Sequence, residues 1–168
     1  AVMNAVVLSR RDGRAGHLTD DGRTALGVMW SLQMKTGPNS GAWTWLNFNY
    51  EPCESPNSPY FGASLAALAV GSAPDGYAAS PEIQDRLKAL RGYFDKQHAN
   101  VSVLNQLMGV WASGRIPDLL TKEQRHALRP RIEHAQVIAL DDIRRFGRLE
   151  VIASIQPTHA TSDMNMAE

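Results

Sequence analysis

The run YFGASLAALAVGSA, residues 60–73, sets the strongest limit on how this chain folds. It is small or apolar almost throughout and long enough for about four turns of helix. A helix without a polar face has to be buried on most sides, so other elements must surround it. Pro74-Asp75-Gly76 then ends it, because proline cannot continue a helix and Asp-Gly favours a turn.

The chain up to Leu128 supplies the partners. A helix is predicted over Asn4–Arg11, with Val6, Val7 and Leu8 inward. In AGHLTDDGRTALGVMWSLQMKTG, Thr19 or Asp20 is the N-cap, and Leu26, Met29, Trp30 and Met34 follow at helical spacing until Gly37-Pro38. GAWTWLNFNY is a short apolar segment, and EPCESPNSP a polar, proline-rich loop. In SPEIQDRLKALRGYFDKQH, Ser80 caps, Pro81 opens the first turn, and Ile83, Leu87, Leu90 and Phe94 form one stripe. NVSVLNQLMGVWASGRIP is a further helix that stops before Pro117, and Thr121 and Gln124 have capping-box spacing at the start of another. Helices paired through short turns are helical hairpins, which stack into solenoids or close into toroids. The expected class is mainly α.

From Arg131 the period changes. RIEHAQVIA and LEVIASIQ read as strands, and LDDIRRFGRL between them as a short helix capped by Asp141. Strand, helix and strand within about 30 residues make a βαβ unit, the building block of a parallel sheet. One such unit cannot cover both of its faces, so it is expected to need a neighbour. The boundary between the two parts falls near Arg129-Pro130.

Composition narrows the possible partners. The 17 basic and 17 acidic residues balance, which leaves no basic surface for nucleic acid or an anionic membrane. The single cysteine, Cys53, excludes a disulfide within the chain, a CxxCH haem attachment and a zinc knuckle. No apolar run approaches about 18 residues, so no membrane span is expected. AVMNAVVLSRRD has no basic region ahead of an apolar one, and reads as a helix entered partway rather than a signal peptide. A soluble chain without a targeting segment is expected.

Gln33, Gly41 and Trp43 in LQMKTGPNSGAW resemble the QW motif of squalene cyclases, with a longer spacer. In that motif the Gln side chain and the Trp ring tie the turn between toroid helices. The longer run GAWTWLNFNYEPCESPNSPYFGASLAALAVGSAPDGYA resembles squalene-cyclase and prenyltransferase-like repeat domains, and the likeness extends over residues 1–128. Cys53 stands where the family pattern has Trp. The resemblance implies an incomplete α/α-toroid and an aromatic rim able to take an apolar small molecule. Trp43, Trp45, Phe48, Tyr60 and Trp111 would line that rim, with Glu51 and Glu54 as candidate catalytic carboxyls among them. Aromatic faces stabilise cations, and a carboxyl in an apolar setting becomes a better general acid. The plainer reading makes the rings core and leaves the glutamates capping helices or facing water. LTDD has Leu18 where a protonating cyclase has its leading Asp, and no cluster of acids and bases is present for magnesium and diphosphate. A non-catalytic domain is therefore expected.

Residues 129–168 resemble a strand–helix–strand from the barrel of metal-dependent amidohydrolases, in the branch of N-substituted formamide deformylase. The resemblance makes His134 of RIEHA a metal ligand at a strand's C-terminal end, and places Gln156, His159 and Asp163 at the substrate rim. At 168 residues the chain is too short for a whole barrel, which needs about 200. The family's H-x-H and its other ligands are absent, so His134 alone is too few for a zinc site. No cofactor is expected for this chain alone. Zinc or iron would follow only if another chain completed the sheet edges and the barrel. Two further functions thus stand beside the binding module: part of an amidohydrolase acting on C–N bonds, and a fusion product without an evolved function.

Overall fold

A computed structural model describes residues 1–50, 53–127, 131–132, 144, 147 and 152–153. They fall into two compact units, Ala1–Thr121 and Lys122–Glu168. The first unit holds α1 (Val2–Ala15), α2 (Asp20–Ser31), α3 (Ser58–Ser72), α4 (Gln84–Gln97) and α5 (Val103–Ser113). The second holds α6 (Lys122–Ala127), β1 (Arg131–Ile132) and β2 (Ile152–Ala153). The expectation of a mainly helical chain is met. Among the described residues no helix is long and apolar enough to cross a membrane.

Helix α3, the small-residue run, packs against both α1 and α5. Tyr60, Ala63, Ala66, Ala67, Ala69 and Val70 are fully buried along it, as a helix without a polar face requires. Small residues let the neighbours approach closely. A Cβ on Gly13 of α1 would collide with the Ser72 carbonyl, and one on Gly71 would sit 2.5 Å from Arg115 Cβ just past α5. The C-terminal ends of α1, α3 and α5 therefore meet at one end of the unit.

Helix α4 turns the expected stripe inward, and Ile83, Leu87, Leu90 and Phe94 are all buried. Its first turn, Pro81–Ile83, is a 3₁₀ turn, and the Ser80 side chain makes no cap hydrogen bond. At the start of α2 the Thr19 hydroxyl does accept from the Gly22 N–H, at 3.1 Å.

Helix α1 corrects the sequence reading. It runs longer than Asn4–Arg11, and Val7 stands in solvent while Val2, Ala5, Ser9 and Asp12 are buried. The cause is polar. Asp12 accepts from the Thr19 N–H at 2.9 Å and the Thr19 hydroxyl at 2.7 Å, next to the start of α2, and this sets the rotation of α1.

In the second unit β1 and β2 pair in parallel, Arg131 opposite Ile152 and Ile132 opposite Ala153. A parallel pair needs a crossover connection. Arg144 and Gly147 within that connection are helical, in keeping with a strand–helix–strand order. The remainder of the expected strands lies outside the described residues.

Candidate functional site

Helix α2 ends at Ser31 instead of running on to Gly37, because the next residues are recruited into a turn. The Gly41 N–H donates to the Met34 carbonyl at 2.8 Å, and the Met34 N–H donates to the Ala42 carbonyl at 2.9 Å. Gln33 closes the turn with its side chain, whose amide donates to the Gly41 carbonyl at 2.9 Å and to the Arg86 carbonyl of α4 at 3.0 Å. Gly41 has φ 97°, and a Cβ there would strike the Ala89 carbonyl, so only glycine fits. The Trp43 indole donates to the Met29 carbonyl at 2.6 Å, and its ring lies 5.5 Å from Trp30. Gln33, Gly41 and Trp43 thus tie a turn onto α2 and α4.

Trp43 and Tyr60 are buried in the core. The Tyr60 ring packs 4.7 Å from Phe94 and 6.1 Å from Tyr93, and its hydroxyl lies 2.7 Å from His98 Nδ1. A Cβ on Gly109 of α5 would collide with the Tyr60 hydroxyl. Burial pushes the Tyr60 hydroxyl, with Tyr93 adding to the effect, and the Tyr93 hydroxyl above the ordinary tyrosine range, so both stay neutral.

Trp45 is placed differently. Half-buried, it meets Phe61 edge to face at 5.8 Å and lies over Gly62 of α3. One edge of it lines a cleft of about 220 Å³, together with Met34, Asn39, Thr44, Asn47 and Pro59. Ser55 and Ser58 hold the cleft's loop. The Ser58 hydroxyl donates to the Leu46 carbonyl at 2.6 Å, and the Ser55 hydroxyl accepts from the Asn57 N–H at 3.2 Å. No residue lining this cleft carries a charge. It offers an aromatic edge, a thioether, amides and hydroxyls, which suits an uncharged molecule with one apolar face.

The other expected site residues are scattered. Phe48 stands in solvent, and Trp111 is exposed on α5. Glu54 is partly exposed in a short antiparallel bridge, where its N–H donates to the Tyr50 carbonyl at 3.0 Å. Glu51, His134, Gln156, His159 and Asp163 lie outside the described residues. Among the described residues no group of three or more His, Cys, Asp or Glu side chains is placed to hold a metal ion. Asp12 is among the buried polar groups that sequence reasoning missed, and His98, expected to be exposed near a helix end, is buried against Tyr60. A lone Asp or His carries no local signal of what it bonds.

Comparison with protein-family models, with curated proteins and with solved structures found no match.

Proposed function

We propose that this chain is a non-catalytic helical binding module that receives a small, uncharged, partly apolar molecule at the Trp45 cleft. One observation carries the reading: a half-buried tryptophan edge faces a cleft lined wholly by uncharged residues. Such a wall favours ring or alkyl faces and has no counter-charge for a diphosphate or carboxylate. The resemblance of residues 1–128 to squalene-cyclase-like helical domains supports an apolar ligand and adds no active site. The test is a titration of the isotope-labelled chain with three probes: geraniol, cyclohexanol and a methyl glycoside. The Trp45 indole N–H resonance is expected to shift in a saturable way with at least one of them. Trp45→Ala should abolish that shift and leave the Trp43 resonance in place. No movement of the Trp45 resonance with any of the three defeats the reading.

A second reading rests on the parallel pairing of β1 with β2. It makes the second unit a strand–helix–strand piece of an amidohydrolase-like barrel that needs another chain to complete it. The described residues supply no metal-binding group, so no chemistry is assigned to this chain alone. Metal analysis of the chain purified together with a partner that completes the barrel is the test. Less than about 0.1 zinc or iron per chain in that complex, or no such complex, counts against this reading, since a real site retains its ion at near-stoichiometric level.

A further inference from the structure

Helix α5 exposes four large apolar side chains: Val103 is 65 % exposed, Leu104 45 %, Leu107 38 % and Trp111 44 %. Leu104, Leu107 and Trp111 are spaced by three and four residues, so they form a single stripe along the helix. The opposite face, with Asn105, Gly109 and Ala112, is buried, and Gly109 lies against Tyr60 of α3. The stripe is therefore additional to the face that α5 gives to the core.

The segment 101–114 contains no Asp, Glu, Lys, Arg or His. Helix α4 shows the usual alternative, with Asp85, Lys88, Asp95 and Lys96 on its exposed side. An outer face that combines large apolar side chains with a complete lack of charge fits burial against another surface.

We infer that this surface is a second copy of the same chain, with α5 packed on α5 of its partner about a twofold axis. Three observations favour that occupant. The stripe has the spacing of a helix–helix seam and is convex, so it suits a facing helix better than a small molecule. In a twofold contact, residues near the axis face their own counterparts, and any charge there would repel itself. Segment 101–114 has none, and the whole chain carries no net charge to oppose association. A charged amphipathic helix from another protein would find no counter-charge on α5, whereas α5 itself is an uncharged apolar helix. The four side chains leave on the order of 400 Å² uncovered per copy, which with its flanks reaches only the lower end of specific interfaces. The dimer is accordingly weak and reversible.

Sedimentation of the full chain from about 5 to 500 µM reads the equilibrium directly. The weight-average mass should rise from monomer towards dimer over that range. Leu107→Lys should weaken association at least tenfold, with far-ultraviolet circular dichroism unchanged and, at about 5 µM where wild type is monomeric, a thermal midpoint within a few degrees of wild type, because Leu107 is partly exposed. Leu107→Glu should do the same. An equimolar mixture of the two variants should recover dimer, since position 107 meets its counterpart across the axis. The inference is overturned by a chain that stays monomeric throughout, or by a dimer that Leu107→Lys leaves intact. It is equally overturned by open-ended growth beyond dimer, the mark of a head-to-tail contact, or by a mixture of variants that stays monomeric.

Discussion

Asp12 carries a charge in a side chain that is almost wholly covered, beside the half-exposed Arg11 at 2.8 Å. Burial alone raises its pKa. Hydrogen bonds from the Thr19 hydroxyl and N–H, and then the bond and charge of Arg11, outweigh that and leave it below the ordinary carboxylate value. A carboxyl depressed in the folded state stabilises the fold above its unfolded pKa, and that contribution is lost as pH falls through the folded value. The Asp12→Asn variant should therefore melt below wild type at neutral pH, with the gap closing below about pH 4. A gap of the same size at both ends, followed by circular dichroism, contradicts this. Tyr60, Tyr77 and Tyr93 have the opposite sign. Burial holds all three above the usual tyrosine range; Tyr93 adds to it at Tyr60, and at Tyr77 the bond from Trp30 partly opposes it. Their contribution is full below the unfolded value of about 10 and is lost as pH rises above it. Tyrosinate absorbance for these three should emerge together with alkaline unfolding, not before it. Tyr60→Phe deletes the hydroxyl that meets His98 and should lower stability by roughly 1–3 kcal/mol at neutral pH while flattening the alkaline limb. An unchanged alkaline limb in that variant is the contrary result.

Helices α2 and α3 each contain glycine for unlike reasons, and substitution separates them. Gly71 of α3 has no room, since a Cβ would sit 2.5 Å from Arg115 Cβ and 2.7 Å from the Arg115 carbonyl oxygen. Gly71→Ala should destabilise by about 1–3 kcal/mol in chemical denaturation, the usual consequence of overpacking. Gly27 of α2 has nothing within 4 Å of its Cβ position. There alanine relieves the backbone entropy of a helical glycine, and Gly27→Ala should stabilise by about 0.5–1 kcal/mol. Equal effects at the two positions defeat the close-packing account of α3. What sequence alone could read at this scale was local. The α4 stripe and the burial of α3 on most sides follow from residue spacing and are present, and of the two cap residues the sequence offered, Thr19 is the one that caps. Of the strand–helix–strand reading after Arg131, the described residues show one short parallel pair, Arg131–Ile132 with Ile152–Ala153. The rotation of α1 was not legible, because it depends on Asp12 finding Thr19 seven residues away. Nor could spacing separate the tryptophans of GAWTWLNF. Trp43 is drawn inward by its bond to the Met29 carbonyl, and Trp45, two residues on, is left at a cleft edge by the small residue Gly62.

The molecule as a whole poses the question of how much of the chain the core requires. Leu26, Met29, Trp30, Trp43, Tyr60, Leu87, Leu90, Phe94 and Ile116 are buried, and all lie within the unit Ala1–Thr121. So do the bonds that cross between its elements: Asp12 to Thr19, Trp30 to Tyr77, Trp43 to Met29 and Gln33 to Arg86. A unit of this length is large enough to bury a core of its own. The chain cut after Thr121 should therefore fold alone, melt in one cooperative transition, and keep a midpoint within about 4 °C of the full chain, a difference of roughly 1 kcal/mol. Amides of α3 should exchange most slowly in both forms, since that helix is enclosed on most sides. The result separates an added tail from an integral part of the fold. An intact midpoint fits a tail added to a self-sufficient helical domain, whether by fusion or as a piece of a barrel. A truncated chain that loses its cooperative transition, or whose α3 amides exchange at the rate of an unfolded chain, means that the residues after Thr121 are part of the fold itself.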